Sequence, residues 1–247
     1  MYEQYSTLAR YYDRIYHWKD YGKESGIIKK LVQENKQSSG NDLLDVGCGT
    51  GRHILHLRDA FNCVGVDISG DMLRVARRNV PGVRFIRSSM TDFRLRRKFD
   101  VVLCLFSGIG YLKTREELAN AFSNFARHMR DGGVLIIEPW FRRSDWERGS
   151  VHMRNYESRT MMISRVGYSE ARGKFSIMDE RYLIAEKGKG ITYVEDHQEM
   201  RFFEPSWTFN TMRKAGLSPR FAKVSVMPGR TPIVATKRRH AAGRLSS

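Results

Sequence analysis

Between residues 42 and 138 the chain alternates short apolar runs with amphipathic stretches. Each apolar run predicts a strand: DLLDV (42–46), CVGVD (63–67), VRFIRS (83–88), FDVVLCLF (99–106) and VLIIE (134–138). Helices are predicted from Arg52 to about Asp59, from near Ser69, and in a long apolar-striped stretch that Asp-Gly-Gly at 131–133 ends. Near-continuous apolar strands separated by helices predict a parallel sheet that is covered on both faces.

The pattern changes at about residue 150. MMISRVGY, KFSIMDERYLIAEK and GITYVEDHQEMRFF predict consecutive strands joined by the turns SEARG and KGKG, and therefore a small antiparallel β add-on. After them, SWTFNTMRKAGL predicts a helix, and RFAKVSV and TPIVATK predict closing strands. Before the sheet, an aromatic-rich stretch (2–21) precedes a predicted helix at about 22–35 and a turn at 37–41.

These patterns predict an α/β protein that divides into five segments. Residues 1–40 form an N-terminal helical connection, 41–149 the Rossmann-like core and 150–203 the antiparallel add-on. Residues 204–238 supply the final helix and strands of the core, and 239–247 form a loose basic tail.

Composition narrows the class of protein. The chain has 247 residues, 41% hydrophobic and 28% charged, as expected of a globular domain with one sizeable core. Its apolar runs are far shorter than a membrane span, and MYEQYSTLAR has no apolar signal core, so we expect no membrane association and no secretion. Cys48, Cys63 and Cys104 form no CxxC pair and no metal-ligand spacing, which favours reduced core thiols in a cytoplasmic protein.

The net charge of +16 is the unusual feature of the composition. Such an excess favours polyanionic partners, either nucleic acid or phosphorylated metabolites. The basic residues are dispersed along the chain rather than gathered in one block, so a generally basic, solvated surface is favoured over a nucleic-acid footprint.

The stretch LLDVGCGTG (43–51) joins the first predicted strand to the first helix of the core, where open α/β sheets bind ligands. A Walker-type phosphate loop is excluded because no lysine follows Gly51. A dinucleotide fingerprint needs a third glycine at position 52, which is Arg52. The pattern DxGxGxG, from Asp45 to Gly51, matches in full and is the S-adenosylmethionine turn of class I methyltransferases. Asp67 ends the second strand, where a carboxylate can accept both ribose hydroxyls of an adenosine.

Beyond this turn, most of the chain resembles one methyltransferase family. VDISGDML (66–73), FSGIGYLKTREEL (106–118), GGVLIIEPWF (132–141) and PGRTPIVA (228–235) resemble the N,N-dimethyltransferases of nucleotide-linked amino sugars, as do YYDRIY and KDY near the N-terminus. The resemblance covers residues 5–236 and implies a class I methyltransferase fold, S-adenosylmethionine as methyl donor and a small anionic substrate. One departure is Ser88-Ser89, where the family has Gly-Asp beside adenine. Ser89 or Asp92 would take over that contact.

The resemblance and the motif together give a set of expected donor-binding residues. Gly47, Gly49 and Gly51 should let the backbone approach the methionine part of the donor, next to Asp45, and Asp67 should hold the ribose. Other residues should border the adenine or the sulfonium, with ordinary core packing as the alternative for Met72 and Leu105: Ile68, Met72, Met90, Thr91, Leu105 and Phe106.

The aromatic N-terminal stretch suggests cation–π contact with a sulfonium or ammonium group. The resemblance implies that Tyr12 and Tyr21 close over the donor as a lid, whereas rings packed on the sheet are the alternative.

His128 matches a histidine of the family and is the candidate base, with a structural role as the alternative. Tyr12 and His128 are therefore the candidate catalytic residues. Glu138 and Trp140 follow a central strand on the substrate edge of the sheet.

The acceptor is less well defined by the sequence. Arg230 is a candidate clamp for a diphosphate, or an ordinary loop arginine. N-methylation of a nucleotide-linked amino sugar is the leading hypothesis. An RNA or DNA methyltransferase is the second, although LFSGIGY stands where exocyclic-amino base methylases have [DNS]PP[YFW]. A non-catalytic donor-binding protein is the third. The antiparallel add-on would shape either the substrate pocket or the contact of a homodimer.

Overall fold

The computed structural model describes residues 5–227 and 229–238. Its helices are α1 (Tyr5–Leu8), α2 (Tyr12–Ile15), α3 (Tyr21–Asn35), α4 (Arg52–Leu57), α5 (Gly70–Asn79), α6 (Arg115–His128) and α7 (Pro205–Lys214). Its strands are β1 (Asp42–Val46), β2 (Asn62–Asp67), β3 (Arg84–Arg87), β4 (Phe99–Cys104), β5 (Met129–Ile137), β6 (Ser150–Glu157), β7 (Met161–Arg172), β8 (Phe175–Glu186), β9 (Gly190–Arg201), β10 (Leu217–Phe221) and β11 (Ile233–Lys237). Short 3₁₀ turns lie at Ala9–Tyr11, Gly108–Tyr111 and Arg143–Asp145.

Seven strands form one sheet in the order β10-β11-β5-β4-β1-β2-β3. Strands β1 to β5 are parallel, while β11 runs antiparallel to β5 and β10 antiparallel to β11. The strand order reverses next to β1, so the carboxyl ends of β1 and β4 meet at a switch point where α/β sheets bind ligands. The predicted α/β fold with a doubly covered sheet is confirmed.

Side chains of the central strands alternate between two apolar layers. Val101 and Leu103 of β4 face the layer covered by α3, whereas Val102 and Cys104 face the layer covered by α6. Helix α6 begins at a capping box in which Thr114 and Glu117 each bond the backbone of the other. These layers fix the loops that follow the strands at one edge of the sheet.

The remaining strands, β6 to β9, form a separate antiparallel sheet in sequence order. Part of its inner face packs on the N-terminal segment, where Leu8, Tyr11 and Ile15 meet Ile163 and Ile184. The predicted antiparallel add-on is therefore present, but it has four strands rather than three, because β6 also belongs to it.

Two of the predicted boundaries are wrong. Strand β5 begins at Met129, directly after α6, so Asp-Gly-Gly lies inside the strand, where its register against β4 shifts between Phe99 and Val101. The strand predicted at 220–226 lies earlier, at Leu217–Phe221. The predicted loose tail, 239–247, lies outside the described residues. Across the described ranges, no helix combines the length and the apolar character that a membrane span needs.

Candidate functional site

A cavity of about 470 Å³ opens at the carboxyl ends of the parallel strands. Its floor is made by residues that follow β1, β2, β3 and β4, and its opposite wall by the inner face of the antiparallel sheet. The N-terminal segment closes one side through Tyr12, Tyr16, Trp18 and Tyr21. The cavity therefore has two ends: the strand ends and the glycine turn bound the first, and the antiparallel sheet bounds the second.

The glycine turn after β1 makes the floor of the first end. Gly47 and Gly49 line the cavity with φ of 75° and 53°, and a Cβ added to either would meet no atom within 4 Å. Both conformations favour glycine, and both leave the backbone open to a ligand. Gly51 differs: a Cβ there would lie 3.3 Å from Ala76, Val80 and Phe85, so this glycine serves the packing of α4 on α5 and β3.

Asp67 is fixed at the end of β2 by two backbone donors. Its Oδ2 accepts from the Gly49 N–H at 2.8 Å, and its Oδ1 accepts from the Ser69 N–H at 2.9 Å. Burial raises the pKa of Asp67, and these two N–H groups oppose the rise. Each oxygen keeps lone-pair capacity for a further donor such as a sugar hydroxyl.

Asp45 lies beside Asp67 on the cavity floor and is only 2% exposed. Burial, and then the charge of Asp67, raises the pKa of Asp45 to about 7. The two neighbouring carboxyl groups offer this end hydrogen-bond acceptors, which suit a ligand with an amino group.

The wall next to Asp67 comes from the residues after β2 and β3. Ile68, Met72, Ser89 and Met90 line the cavity there. Thr91 is outside the lining and instead supports Ser89, since its Oγ1 lies 2.8 Å from the Ser89 Oγ. Of the residues predicted to border adenine, Ile68, Met72 and Met90 therefore lie together in the cavity wall, and Thr91 lies behind Ser89.

The N-terminal segment is tied to the glycine turn by Asp13, which the sequence did not single out. The Thr50 hydroxyl donates to Asp13 Oδ1 at 2.6 Å, and the Asn79 amide donates to Asp13 Oδ2 at 2.9 Å. These bonds set Tyr12 over the cavity, where its ring lies 4.6 Å from that of Tyr16. Burial raises the pKa of Tyr12 well above its usual value, so its phenol stays protonated at neutral pH.

A second buried network lies behind Tyr21. Lys19, Glu24 and His53 form it: Lys19 is hydrogen-bonded to Glu24 Oε1, and Glu24 Oε2 lies 2.8 Å from His53 Nε2. Tyr21 packs edge-on against the His53 ring at 4.9 Å. The network fixes Tyr21 in the cavity wall. Of its members, only Lys19 was noted in the sequence, as part of KDY.

Strand β4 ends in a strained turn. Phe106 and Ser107 adopt left-handed φ values of 48° and 63°, which are costly for residues with a side chain. Two side chains hold them: Glu138 Oε2 accepts from the Phe106 N–H at 2.6 Å, and Arg230 is hydrogen-bonded to the Ser107 hydroxyl. Leu105 and Phe106 consequently line the cavity next to the glycine turn.

Of the three residues expected to contact the substrate, two line the cavity and one lies in the core. Trp140 lines the cavity, with its indole N–H donating to the Ser176 hydroxyl of β8 at 2.8 Å. Arg230 also lines it, although burial lowers the pKa of its guanidinium. Glu138 does not: it is 0% exposed, and it supports the Phe106 turn from behind.

His128, the candidate base, lies away from the cavity. It is 4% exposed, and its Nε2 accepts from the Leu95 N–H at 3.0 Å while its Nδ1 lies 2.8 Å from the Asn124 carbonyl oxygen. Both ring nitrogens are engaged by backbone at the end of α6, so the structure corrects this prediction in favour of a structural role. In the described part of the chain, no three His, Cys, Asp or Glu side chains form a metal-binding group.

The second end of the cavity is built by residues that sequence analysis missed. They project from alternate positions of the antiparallel sheet and include His152, Arg154, Arg165, Glu180 and Gln198. Glu180 is central: His152 Nε2 lies 3.2 Å from its Oε1, and the Tyr182 hydroxyl donates to its Oε2 at 2.6 Å. Burial opposes ionisation of Glu180, but hydrogen bonds from these neighbours and the charge of Arg165 keep its pKa low. This end therefore presents ionised polar groups to a ligand.

Comparison with known proteins places this geometry among methyltransferases. A family model described as a methyltransferase domain matches residues 43–133. The dTDP-3-amino-3,6-dideoxy-α-D-glucopyranose N,N-dimethyltransferase of Streptomyces fradiae is 35% identical over 225 residues, which cover 90% of this chain and 86% of that protein.

Solved structures agree with the sequence comparison. The crystal structure of DesVI from Streptomyces venezuelae superposes with a TM-score of 0.87 at 34% identity, covering 92% of this chain and 97% of that one. The S-adenosylmethionine-bound structure of CalS10, an amino pentose methyltransferase from Micromonospora echinaspora, gives 0.80 at 29% identity, covering 89% and 92%.

Proposed function

The chain belongs to the class I S-adenosylmethionine-dependent methyltransferases, in the family that holds the dTDP-amino-sugar N,N-dimethyltransferases, and we propose that it N-methylates a deoxyamino sugar carried on a nucleoside diphosphate. It is an enzyme that uses S-adenosylmethionine as methyl donor. The proposal concerns its acceptor and the residues that bind donor and acceptor.

One observation carries the proposal: a single cavity runs from the glycine turn to the polar inner face of the antiparallel sheet. The first end offers open backbone at Gly47 and Gly49 and a fixed carboxylate at Asp67. The second end offers hydrogen-bonding groups suited to a sugar ring. Donor and acceptor would thus meet between the two ends, beside Phe106 and Tyr16.

The first end fits S-adenosylmethionine without a phosphate site. We assign the ribose hydroxyls to Asp67, the adenine to Ile68, Met72 and Met90, and the amino-acid part to the turn beside Asp45. Tyr21 and Tyr12 would cover the donor from the N-terminal side. Gly51 and Thr91 would act only by supporting this wall.

For the acceptor, the diphosphate needs cations at the cavity mouth. Arg154 is exposed, lines the cavity and lies with its guanidinium 4.7 Å from the Trp18 ring centroid. Because Arg230 is buried and already bonded to Ser107, Arg154 is the better candidate for the diphosphate. The RNA alternative rests only on the net charge of +16, which an anionic small substrate uses equally well.

Methyl transfer requires the protein mainly to align the donor methyl group with the acceptor nitrogen. The donor supplies a methyl group on a sulfonium, which is strongly electrophilic when bound. Phe106 and Tyr16, whose rings pack edge-to-face at 5.2 Å, would exclude water around the reacting nitrogen. Burial, followed by the charge of Glu180, raises the pKa of Tyr16 to about 12, so Tyr16 would act as a neutral hydrogen-bonding phenol.

Turnover tests the proposal directly. We expect the purified enzyme, S-adenosylmethionine and a panel of dTDP-linked 3-amino and 4-amino deoxysugars to give mono- or dimethylated products by mass spectrometry. Bulk RNA serves as the competing substrate. Methylation of RNA with no product from any sugar would contradict the proposed acceptor.

The outer face of the antiparallel sheet supports a homodimer. Eight of its apolar side chains are exposed: Val151, Met153, Met162, Val166, Tyr168, Leu183, Ile191 and Tyr193. We propose that a second copy covers this face, and that Leu183→Glu converts a dimer to a monomer in light scattering after size exclusion.

The three cysteines are free. Free thiols fit a protein in a reducing compartment, and we propose that the enzyme acts in the cytoplasm.

A further inference from the structure

Four residues form one row across the inner face of the antiparallel sheet. His152 of β6 pairs with Gly167 of β7, Gly167 pairs with Glu180 of β8, and Glu180 pairs with Asp196 of β9. His152 and Glu180 therefore sit two strands apart, yet the histidine Nε2 lies 3.2 Å from Glu180 Oε1.

Gly167 makes this contact possible. A Cβ added at Gly167 would overlap the imidazole of His152, which crosses strand β7 in the space that a side chain would occupy. The glycine φ is not in the left-handed region, so no backbone requirement explains it. The position is explained by the room it gives to the His152 ring.

His152 faces the cavity with 34% of its side chain exposed, whereas Glu180 behind it is only 6% exposed. A buried carboxylate that holds one ring nitrogen leaves the other free to accept a proton and stabilises the imidazolium that results. The tautomer with Nε2–H donated to Glu180 leaves Nδ1 as the proton acceptor. The charged and titratable groups around the pair are Arg154 on the same strand, Arg165, Tyr182, Asp196 and Tyr16.

Other titratable groups of the cavity are less suited to this role. His53 is held by Glu24 next to the glycine turn, and burial lowers its pKa. Burial raises the pKa values of Tyr12 and Tyr21, so both remain phenols. Asp45 and Asp67 belong to the first end of the cavity, which is assigned to the donor. His152 is the histidine of the second end, which is assigned to the acceptor.

Building on the proposed function, we propose that His152, supported by Glu180 across Gly167, is the base that deprotonates the acceptor amine. An amino sugar arrives largely as its ammonium ion, and the proton passes from that nitrogen to the free nitrogen of His152. The neutral amine then has the lone pair that forms the new N–C bond, as the methyl–sulfur bond breaks and its electron pair stays on sulfur. Imidazolium beside Glu180 returns the proton to water.

The test uses a matched pair of histidines on the same sheet. His197 of β9 is also paired with a carboxylate, Asp179 at 2.5 Å, but it is 49% exposed and lies outside the cavity. At pH 7 we expect His152→Gln to lower kcat on the order of 100-fold with little change in acceptor KM, and His197→Gln to have no effect. The deficit of His152→Gln should shrink as the pH approaches the ordinary pKa of a sugar amine, because more acceptor then arrives neutral.

Gly167→Ala keeps both partners and removes their contact, so it should lower kcat nearly as much. A thermal melt at the wild-type temperature would show that the sheet remains folded in these variants. Unchanged kcat in His152→Gln, a defect confined to KM, or equal losses in His152→Gln and His197→Gln would each overturn the assignment.

A second readout does not need turnover. When the amino sugar is added without a methyl donor, the ring resonances of His152, identified by their loss in His152→Gln, should move toward the imidazolium position, and those of His197 should not. Resonances that stay in place would contradict proton transfer. Absence of any methylated product from the wild-type enzyme would instead contradict the proposed function, so the two failures can be distinguished.

Discussion

The two ends of the cavity are built in different ways. The donor end, the first end to which we assign S-adenosylmethionine, consists of one turn and the ends of neighbouring parallel strands. Its polar contacts run largely through backbone, as at Gly49 and Ser69 around Asp67. The acceptor end, the second end to which we assign the amino sugar, collects side chains from four antiparallel strands, such as His152 and Glu180, whose partners are other side chains. Backbone contacts tolerate changes of sequence, whereas side-chain contacts change with each residue. The donor end is therefore suited to one constant ligand and the acceptor end to adaptation among substrates.

The largest effect is expected at the donor end from Asp67→Ala. It removes the proposed ribose contacts and leaves two backbone N–H groups without their acceptor, so S-adenosylmethionine should bind about 100-fold more weakly, which is roughly 3 kcal/mol. Calorimetry measures this change, with Asp71→Ala as control, since Asp71 lies in the first turn of α5, outside the cavity lining, and pairs with Arg74. Affinity within threefold of wild type would refute the ribose assignment. Acceptor binding to the donor-free enzyme should stay unchanged if the two ends are separately built.

Asp45 should make the stability of the donor end depend on pH. Its pKa in the folded protein is about 7, raised first by burial and then by Asp67, so it takes up a proton more readily when folded than when unfolded. The stabilisation from this protonation is complete below the unfolded pKa near 4 and is lost as the pH rises through 7. Relative to Asp45→Asn, the wild-type protein should lose on the order of 2 kcal/mol of unfolding free energy between pH 5 and pH 8. Denaturant titrations at both pH values measure it, and parallel curves would contradict the prediction.

The smallest effect is expected at the acceptor end from Ser176→Ala. The Trp140 indole N–H loses its acceptor, which should loosen the ring and raise the acceptor KM severalfold, equivalent to about 1 kcal/mol. Steady-state kinetics measures the acceptor KM, and donor calorimetry should show no change in S-adenosylmethionine affinity. Ser164→Ala, on the outer face of the same sheet, is the control. Weaker donor binding in Ser176→Ala would show that the ends are not independent.

The place where the first end of the cavity forms could be predicted because its determinants are local. Three glycines and two acids at fixed spacing define the turn, and Gly47, Gly49, Asp45 and Asp67 meet in space as the motif implies. Gly51 lies outside the cavity lining, against Ala76, Val80 and Phe85. The motif could not show this, because spacing does not distinguish a glycine that faces a cavity from one that faces a helix.

The acceptor end could not be predicted because part of the antiparallel sheet, strand β6, inverts the usual pattern. In β6, Val151 and Met153 point outward and are exposed, while His152 and Arg154 line the cavity. In this strand the polar side chains face the cavity and the apolar ones face outward, so alternation alone does not reveal which face is inside. His128 failed for another reason: its place on the apolar edge of α6 gave no sign that backbone groups hold both nitrogens.

Asp13 belongs to a segment that touches both ends. The same segment bonds the glycine turn through Thr50 and packs Leu8 and Ile15 on the antiparallel sheet. If donor and acceptor both favour this position of the segment, each raises the affinity of the other, and thermodynamic linkage makes the two factors equal. One short stretch of chain would thus couple the two ends of the cavity.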